Sequence, residues 1–265
     1  MYIDFTREIF RELLVGLQKQ AFSFLPYNQF ILSENVSTIC LRHDVDLLPL
    51  NSLEFARIQY ELGICGTYYF RAVPGSWNEK VIKEIHELGH EIGYHYECLT
   101  TTSGDKKSAI TDFERNLVKL RKLVPVNTIC MHGSPRSKYD SRELWKHYDY
   151  RDYGIIGEPY FDTDFNKVAY YTDTGRMWDG SRFSVRDKIF NLTGGATSKL
   201  DNNQFPTFHS TMQMIEAIQA GIFPNNTMLT FHPQRWTNQP VPWVKEYIWQ
   251  NVKNVIKLFF INRKA

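Results

Sequence analysis

Apolar positions along this chain switch between two rhythms, and the switches mark its elements. Phe5, Ile9, Leu13, Leu14 and Leu17 fall at helical spacing, which predicts an amphipathic helix over residues 4–20 packed outside the main sheet. The β-branched run Ser37-Thr38-Ile39-Cys40 then predicts a buried strand. Leu53, Phe55, Ala56, Ile58, Tyr60 and Leu62 predict a helix, with Pro49 suited to its first turn and Gly63 closing it. Further strands are expected at 66–71, 91–95 and 126–131, separated by helices at 77–88, which Gly89 stops, and 105–124, which Pro125 ends. Strand and helix alternate throughout. Repeated units of this length predict a parallel sheet or barrel that binds its ligand at the carboxyl ends of the strands.

The second half is less regular. A short helix around 141–147, a strand at 167–172 and a loop region at 176–206 rich in Gly, Asn, Asp and Ser are expected, followed by a helix at 211–220, a strand at 228–231 and a final amphipathic helix at 244–260. No internal repeat, linker or low-complexity tract divides the chain, so one domain is expected over 1–265, with a helical extension at 1–37 and the strand-bearing body at 38–265.

Chemistry gathers at the predicted strand ends. The first strand runs into Arg42-His43-Asp44-Val45-Asp46. On extended backbone Asp44 and Asp46 point the same way while Val45 enters the packing. Two like charges on one patch are tolerated near a cation or where one keeps a proton. The plainer alternative is that Asp46 only caps the next helix. His95 ends the third predicted strand, and Glu97 continues its face if the chain stays extended. Asp, His and Glu together offer the oxygen and nitrogen donors of a catalytic zinc or similar divalent ion. His132 follows the fourth strand and can bind metal, contact substrate or brace its loop. His232 follows the last strand and is a natural proton donor near neutral pH. Asp173, Arg176 and Trp178 supply an acid, a base and an aromatic wall, or else a salt-bridged turn. His86 and His90 are four apart, but Gly89 breaks the helix between them, so they are not expected to act as a ligand pair.

Composition narrows the partners. With 31 Lys and Arg against 29 Asp and Glu the net charge is +2, which gives no electrostatic case for nucleic acid or an anionic membrane as the main partner. No run reaches the length of a membrane span, and charges interrupt the start, so a cytoplasmic location is expected. Cys40, Cys65, Cys98 and Cys130 are unpaired in spacing, and Cys40, Cys65 and Cys130, in apolar strand-like runs, suit buried thiols in a reducing compartment. Aromatic residues make up 15% of the chain, which suits either ring stacking on a sugar or core packing. Trp178, Trp236, Tyr68 and Tyr69 are the stacking candidates, and Arg42, His132, Asp173 and Arg176 complete the expected substrate contacts.

The order and placing of these segments, from about 38 to about 236, resembles the polysaccharide deacetylase family, the NodB-homology domain of carbohydrate esterase family 4, in a divergent intracellular branch carrying Arg42-His43-Asp44-Val45-Asp46. The resemblance implies a distorted, seven-stranded (β/α) barrel and a divalent metal, zinc in the first place. It implies a metal-dependent N-deacetylase acting on an amino sugar of an intracellular glycan or surface-polysaccharide precursor. Carried over by position, Asp44 matches the general base, Asp46 the metal-binding carboxylate, His95 the first metal histidine and His232 the general acid. Val45 splits the acidic pair, so base and ligand can be exchanged. The family's second metal histidine falls on Leu99, which cannot bind metal, and leaves Glu97 or His132 as the third ligand. A metal amidohydrolase on a small non-sugar amide, or a carbohydrate-binding protein that keeps the fold without the reaction, are the alternatives.

Overall fold

The computed structural model describes residues 3–34, 36–134, 137–178 and 205–262, with side chains as far as 255. Helix α1 (Arg7–Lys19) leads to β1 (Ser23–Phe24) and the single turn α2 (Tyr27–Phe30). Then come β2 (Thr38–Val45), α3 (Pro49–Glu61), β3 (Thr67–Phe70), α4 (Glu79–Glu87), β4 (Glu91–Tyr96), α5 (Cys98–Thr101), α6 (Lys106–Arg121) and β5 (Ile129–Met131). Two 3-10 turns, Ser141–Lys146 and Tyr150–Tyr153, and α7 (Pro159–Asp162) connect to β6 (Ala169–Thr172). Helix α8 (Thr211–Gln219), β7 (Thr227–Phe231) and α9 (Pro240–Asn262) complete the order. The loop region expected at 176–206 lies largely outside the described residues.

Every strand pairing is parallel, in the order β5-β4-β3-β2-β7-β6, with β1 paired to the start of β2. Read around a circle this is simply chain order from β2 to β7, opened between β5 and β6. The expected barrel is therefore open on one side among the described residues. Strand β5 is shorter than the sequence pattern suggests because Val126 and Asn127 leave the sheet. Ile156 donates to the Asn127 carbonyl and Ile129 to that of Gly157, so the segment beyond β5 borrows the start of that strand. Parallel strands in a ring send all their carboxyl ends to one rim.

Alternation along β2 sorts its residues between two environments. His43 faces the helices, stacked on Tyr68 with centroids 4.1 Å apart and close to Phe10, Phe55 and Phe231. Arg42 and Asp44 face the interior of the ring beside Tyr69 and Tyr160. Tyr69 finds room because its cross-strand partner is Gly93, where a Cβ would collide with the ring. Helix α1 seats Phe10 against Phe55, Phe231 and Trp236.

Helix α9 departs from expectation. Its amphipathic pattern predicts an apolar face turned inward, yet Ile248 is 57% exposed while Gln250 and Asn254 are each 5% exposed. The body is met by polar groups: Asn254 donates to the Gly175 carbonyl at 2.8 Å, and Arg176 donates to the Trp243 carbonyl at 2.9 Å. Among the described residues no helix is long and apolar enough to cross a membrane.

His43, inside the acidic motif, is thus a core residue. Its Nδ1 lies 3.1 Å from the Thr67 carbonyl and its Nε2 3.0 Å from Gln59 Nε2, and burial lowers its pKa from 6.5 to about 3. The folded chain holds it neutral, whereas the unfolded chain protonates it below about pH 6.5. Its contribution to stability is therefore complete above that value and is lost as pH falls toward 3. Glu158, raised by burial to about 7, contributes with the opposite sign, so a difference measurement is required. The advantage of the natural chain over His43→Gln in urea-unfolding free energy should shrink by about 2 kcal/mol from pH 7 to pH 5. A constant difference would contradict the buried neutral ring.

Candidate functional site

Strand β2 ends at Val45, and the residue before Pro49 at the start of α3 is Leu48 in a left-handed conformation with no side-chain cap. Asp46 therefore does not cap that helix. It sits on the rim with Asp44, and both reach the imidazole of His95. The His95 Nε2 atom lies 3.8 Å from Asp44 Oδ2 and 3.6 Å from Asp46 Oδ1. His132, just past β5, places Nε2 3.4 Å from the same Asp46 Oδ1. His232, just past β7, places Nε2 3.9 Å from Asp46 Oδ2. Five residues, two of the acidic motif and one from each of three further strand ends, thus meet at this rim.

The acids at this rim differ in how their charge is met. Asp44 accepts two hydrogen bonds from Arg42, from Nε at 2.8 Å and Nη2 at 2.7 Å, with both groups buried. Burial alone would raise its pKa, but the guanidinium and then His95 hold it far below the ordinary carboxylate range. Asp173, just past β6, is fully buried. It accepts from the backbone N–H of His232 at 2.9 Å, His232 Nδ1 at 2.5 Å, Arg235 Nη1 at 3.1 Å and Trp236 Nε1 at 2.7 Å. Against the opposing effect of burial, His232 and Arg235 keep it ionised. Glu97 is bound by Arg71 and His132. Asp46 is different: its Oδ1 is buried and has no hydrogen-bond partner among the described residues. Burial works against its charge, and His132, His232 and His95 in that order offset it.

The hydrogen bonds on the far side of the rings decide what Asp46 Oδ1 faces. His95 Nδ1 lies 2.9 Å from the Cys130 carbonyl, an acceptor only, so Nδ1 carries the proton and Nε2 presents a lone pair. Burial lowers the His95 pKa to about 4, with Asp44 opposing, which keeps the ring neutral at pH 7. His132 Nδ1 lies 2.9 Å from Glu97 Oε2, which points its Nε2 toward Asp46. One carboxylate oxygen therefore stands between two imidazole nitrogens, at 3.6 Å and 3.4 Å. That donor set suits a divalent cation of the zinc type, and outer bonds from ring N–H to a carbonyl and a carboxylate are how metal-binding histidines are held. The residues present fit the metal that the resemblance implies.

Among the described residues, the group whose ligand atoms all lie within 4.8 Å of one another is Asp44, His95 and Cys130. This second grouping is less suited to a cation. Both Asp44 oxygens lie in the fork of a guanidinium, and the Cys130 thiol is directed to the Met131 carbonyl at 3.7 Å.

Several sequence expectations are corrected. Glu97 does not continue the His95 face, because β4 ends at Tyr96 and Glu97 becomes the residue before α5, turned toward Arg71 and His132. Trp178 is buried, its Nε1 bonded to Thr211 at 2.9 Å and its ring against Phe231 and Trp236. Trp236 is fully buried and braces Asp173. Tyr68 and Tyr69 are fully buried as well, bonded to Gln59 and Thr128. These four rings serve the core. Arg176 lies under α9 with its guanidinium 4.1 Å from the Trp243 ring centre. Arg42 stands inside the ring as the partner of Asp44. Two site residues escaped the sequence pattern: Arg71, a cation just past the apolar run of β3, and Cys130, whose cross-strand register opposite His95 sets it beside the site. His90 bonds the Ala56 carbonyl and the Gly66 N–H inside the core, in keeping with its rejection as a ligand.

No family model matches the chain, and no curated protein matches it. Among solved structures it is similar to the Xyl-CE4 domain of a multidomain xylanase from the hindgut metagenome of Trinervitermes trinervoides. The two are 13% identical over 83% of this chain and 84% of that one, with a TM-score of 0.43. It is also similar to a CE4 family pseudoenzyme from Bacillus anthracis, 10% identical over 85% of this chain and 63% of that one, TM-score 0.42. A family 4 carbohydrate esterase from Bacillus anthracis is 12% identical over 81% of this chain and 88% of that one, TM-score 0.38. These likenesses concern the fold.

Proposed function

We propose that this protein is a metal-dependent hydrolase of linear amides that removes the acetyl group from an N-acetylated amino sugar. The observation that carries the proposal is the convergence on Asp46 Oδ1 of two imidazole nitrogens, His95 at 3.6 Å and His132 at 3.4 Å, with His232 across the same carboxylate. The sugar class is supported by the resemblance of the strand-end motifs. Asp46, His95 and His132 would hold the ion, zinc in the first place, which supplies Lewis acidity that polarises a carbonyl and acidifies water.

Hydrolysis of an acetamide joins water oxygen to the carbonyl carbon, breaks the C–N bond and leaves the nitrogen needing a proton. Asp44 is assigned the proton of the attacking water. Its oxygens each keep a second lone pair beyond the Arg42 bonds, and the guanidinium holds the group ionised and in place. His232 is assigned the delivery of a proton to the leaving nitrogen from Nε2. Asp173 fixes the ring by its bond to Nδ1 and balances the charge of the doubly protonated form, while Arg235 and Trp236 immobilise Asp173 in turn. Without that proton the leaving group would be an amide anion.

Purified protein with zinc should release acetate from N-acetylglucosamine oligomers. Release of ammonia or carboxylate from cyclic amides instead would assign it to the small-amide class, and zinc binding with neither activity would make it a non-catalytic binder. His232→Ala should lower acetate release by about 10²–10⁴-fold with zinc stoichiometry unchanged. Asp44→Asn should abolish turnover and keep the metal, whereas His95→Ala should lose both. Equal metal loss in Asp44→Asn and His95→Ala, read by elemental analysis, would reverse the roles given to the two aspartates.

A further inference from the structure

The residue expected to complete the ligand set by position is Leu99, a buried residue of α5 whose side chain has no donor atom. Its place is taken by His132 from a different strand end, and the structure shows what makes that possible. Glu97, at φ −144° and ψ 31°, turns out of β4. Its Oε1 accepts from Arg71 Nε at 2.9 Å and Nη2 at 2.7 Å, and its Oε2 stands 2.9 Å from His132 Nδ1. Both oxygens are engaged, one gripped by a planar fork and the other directed at the ring, which is a rigid arrangement. The group is nearly buried and Arg71 is 17% exposed in its side chain, so the contact is shielded from water.

We propose that Glu97, clamped by Arg71, is a positioning residue that fixes the tautomer and orientation of His132 so that this imidazole serves as the third metal ligand. A carboxylate at Nδ1 requires the ring proton on that nitrogen and turns Nε2 toward Asp46 Oδ1, 3.4 Å away, where a bound ion would meet it. His95 reaches the same state through the Cys130 carbonyl, so the two rings are set by independent supports. This separation makes the role of Glu97 testable, and it rests on the metal site proposed above.

The test is zinc titration of the metal-stripped full chain against a chromogenic chelator, combined with proton–nitrogen correlation of the histidine rings in the metal-free protein. The natural chain should bind one zinc and show His132 protonated on Nδ1. In Glu97→Gln zinc affinity should fall about 10–100-fold, and the His132 ring signals should change to mixed tautomers while those of His95 stay in place. A merely structural contribution would lower the metal-free melting temperature without that selective change. Arg71→Met repeats the test without touching the carboxylate and should weaken zinc several-fold. Unchanged zinc affinity and an unchanged His132 tautomer in Glu97→Gln would overturn the positioning role and leave the metal site standing. Undiminished zinc binding in His132→Ala, or no zinc binding by the natural chain, would overturn the ligand assignment itself.

Discussion

A carboxylate taken out of water needs a partner, and the rim of this barrel is organised by how that need is met. Asp44 has the Arg42 fork, Glu97 has Arg71 and His132, and Asp173 has His232, Arg235 and Trp236. Asp46 Oδ1, without a hydrogen bond among the described residues, is left facing the ring nitrogens of His95 and His132. The cost of such an arrangement is several kcal/mol unless a positive charge joins it. The three satisfied acids build walls around the unsatisfied one, and each wall is anchored by an arginine on or just beyond a different strand, Arg42 in β2, Arg71 past β3 and Arg235 past β7.

Much of this was legible in the sequence because strand ends are where periodicity breaks. An apolar run that stops at a charged or imidazole side chain marks a carboxyl terminus, and parallel topology sends those termini to one rim. Asp44, Asp46, His95, His132, Asp173 and His232 were found by that rule alone. What remained hidden depends on tertiary detail. Whether Glu97 continued a strand or turned into α5 is a matter of a few dihedral angles, settled by the onset of the helix at Cys98. Whether Trp178 and Trp236 lined a cleft or filled a core could not be told from residue type, since an aromatic ring suits both. Here the space between α1, α3 and β7 needed large rings, and Phe10, Phe55 and Phe231 enclose Trp236.

Helix α9 shows a different limit. Periodicity reveals that a helix has two faces, but not which face meets the body. The surface it covers is made of carbonyls and a guanidinium in the turn after β6, so polar residues serve it better than valines do. That turn begins with Asp173, which links the packing of α9 to the placement of His232.

The pairing of Arg42 with Asp44 inside a single strand has a consequence for how the fold is specified. Opposite charges two residues apart share a face, so the pair enters the interior already neutralised and waits for no distant segment. The same spacing guards the alignment of the sheet. Sliding β2 by one residue would press the guanidinium and the carboxylate among Phe10, Phe55 and Phe231, and would strand His43 in the cavity. Five residues, Arg42 to Asp46, thereby lock the strand in its place while they furnish the rim with two of its acids.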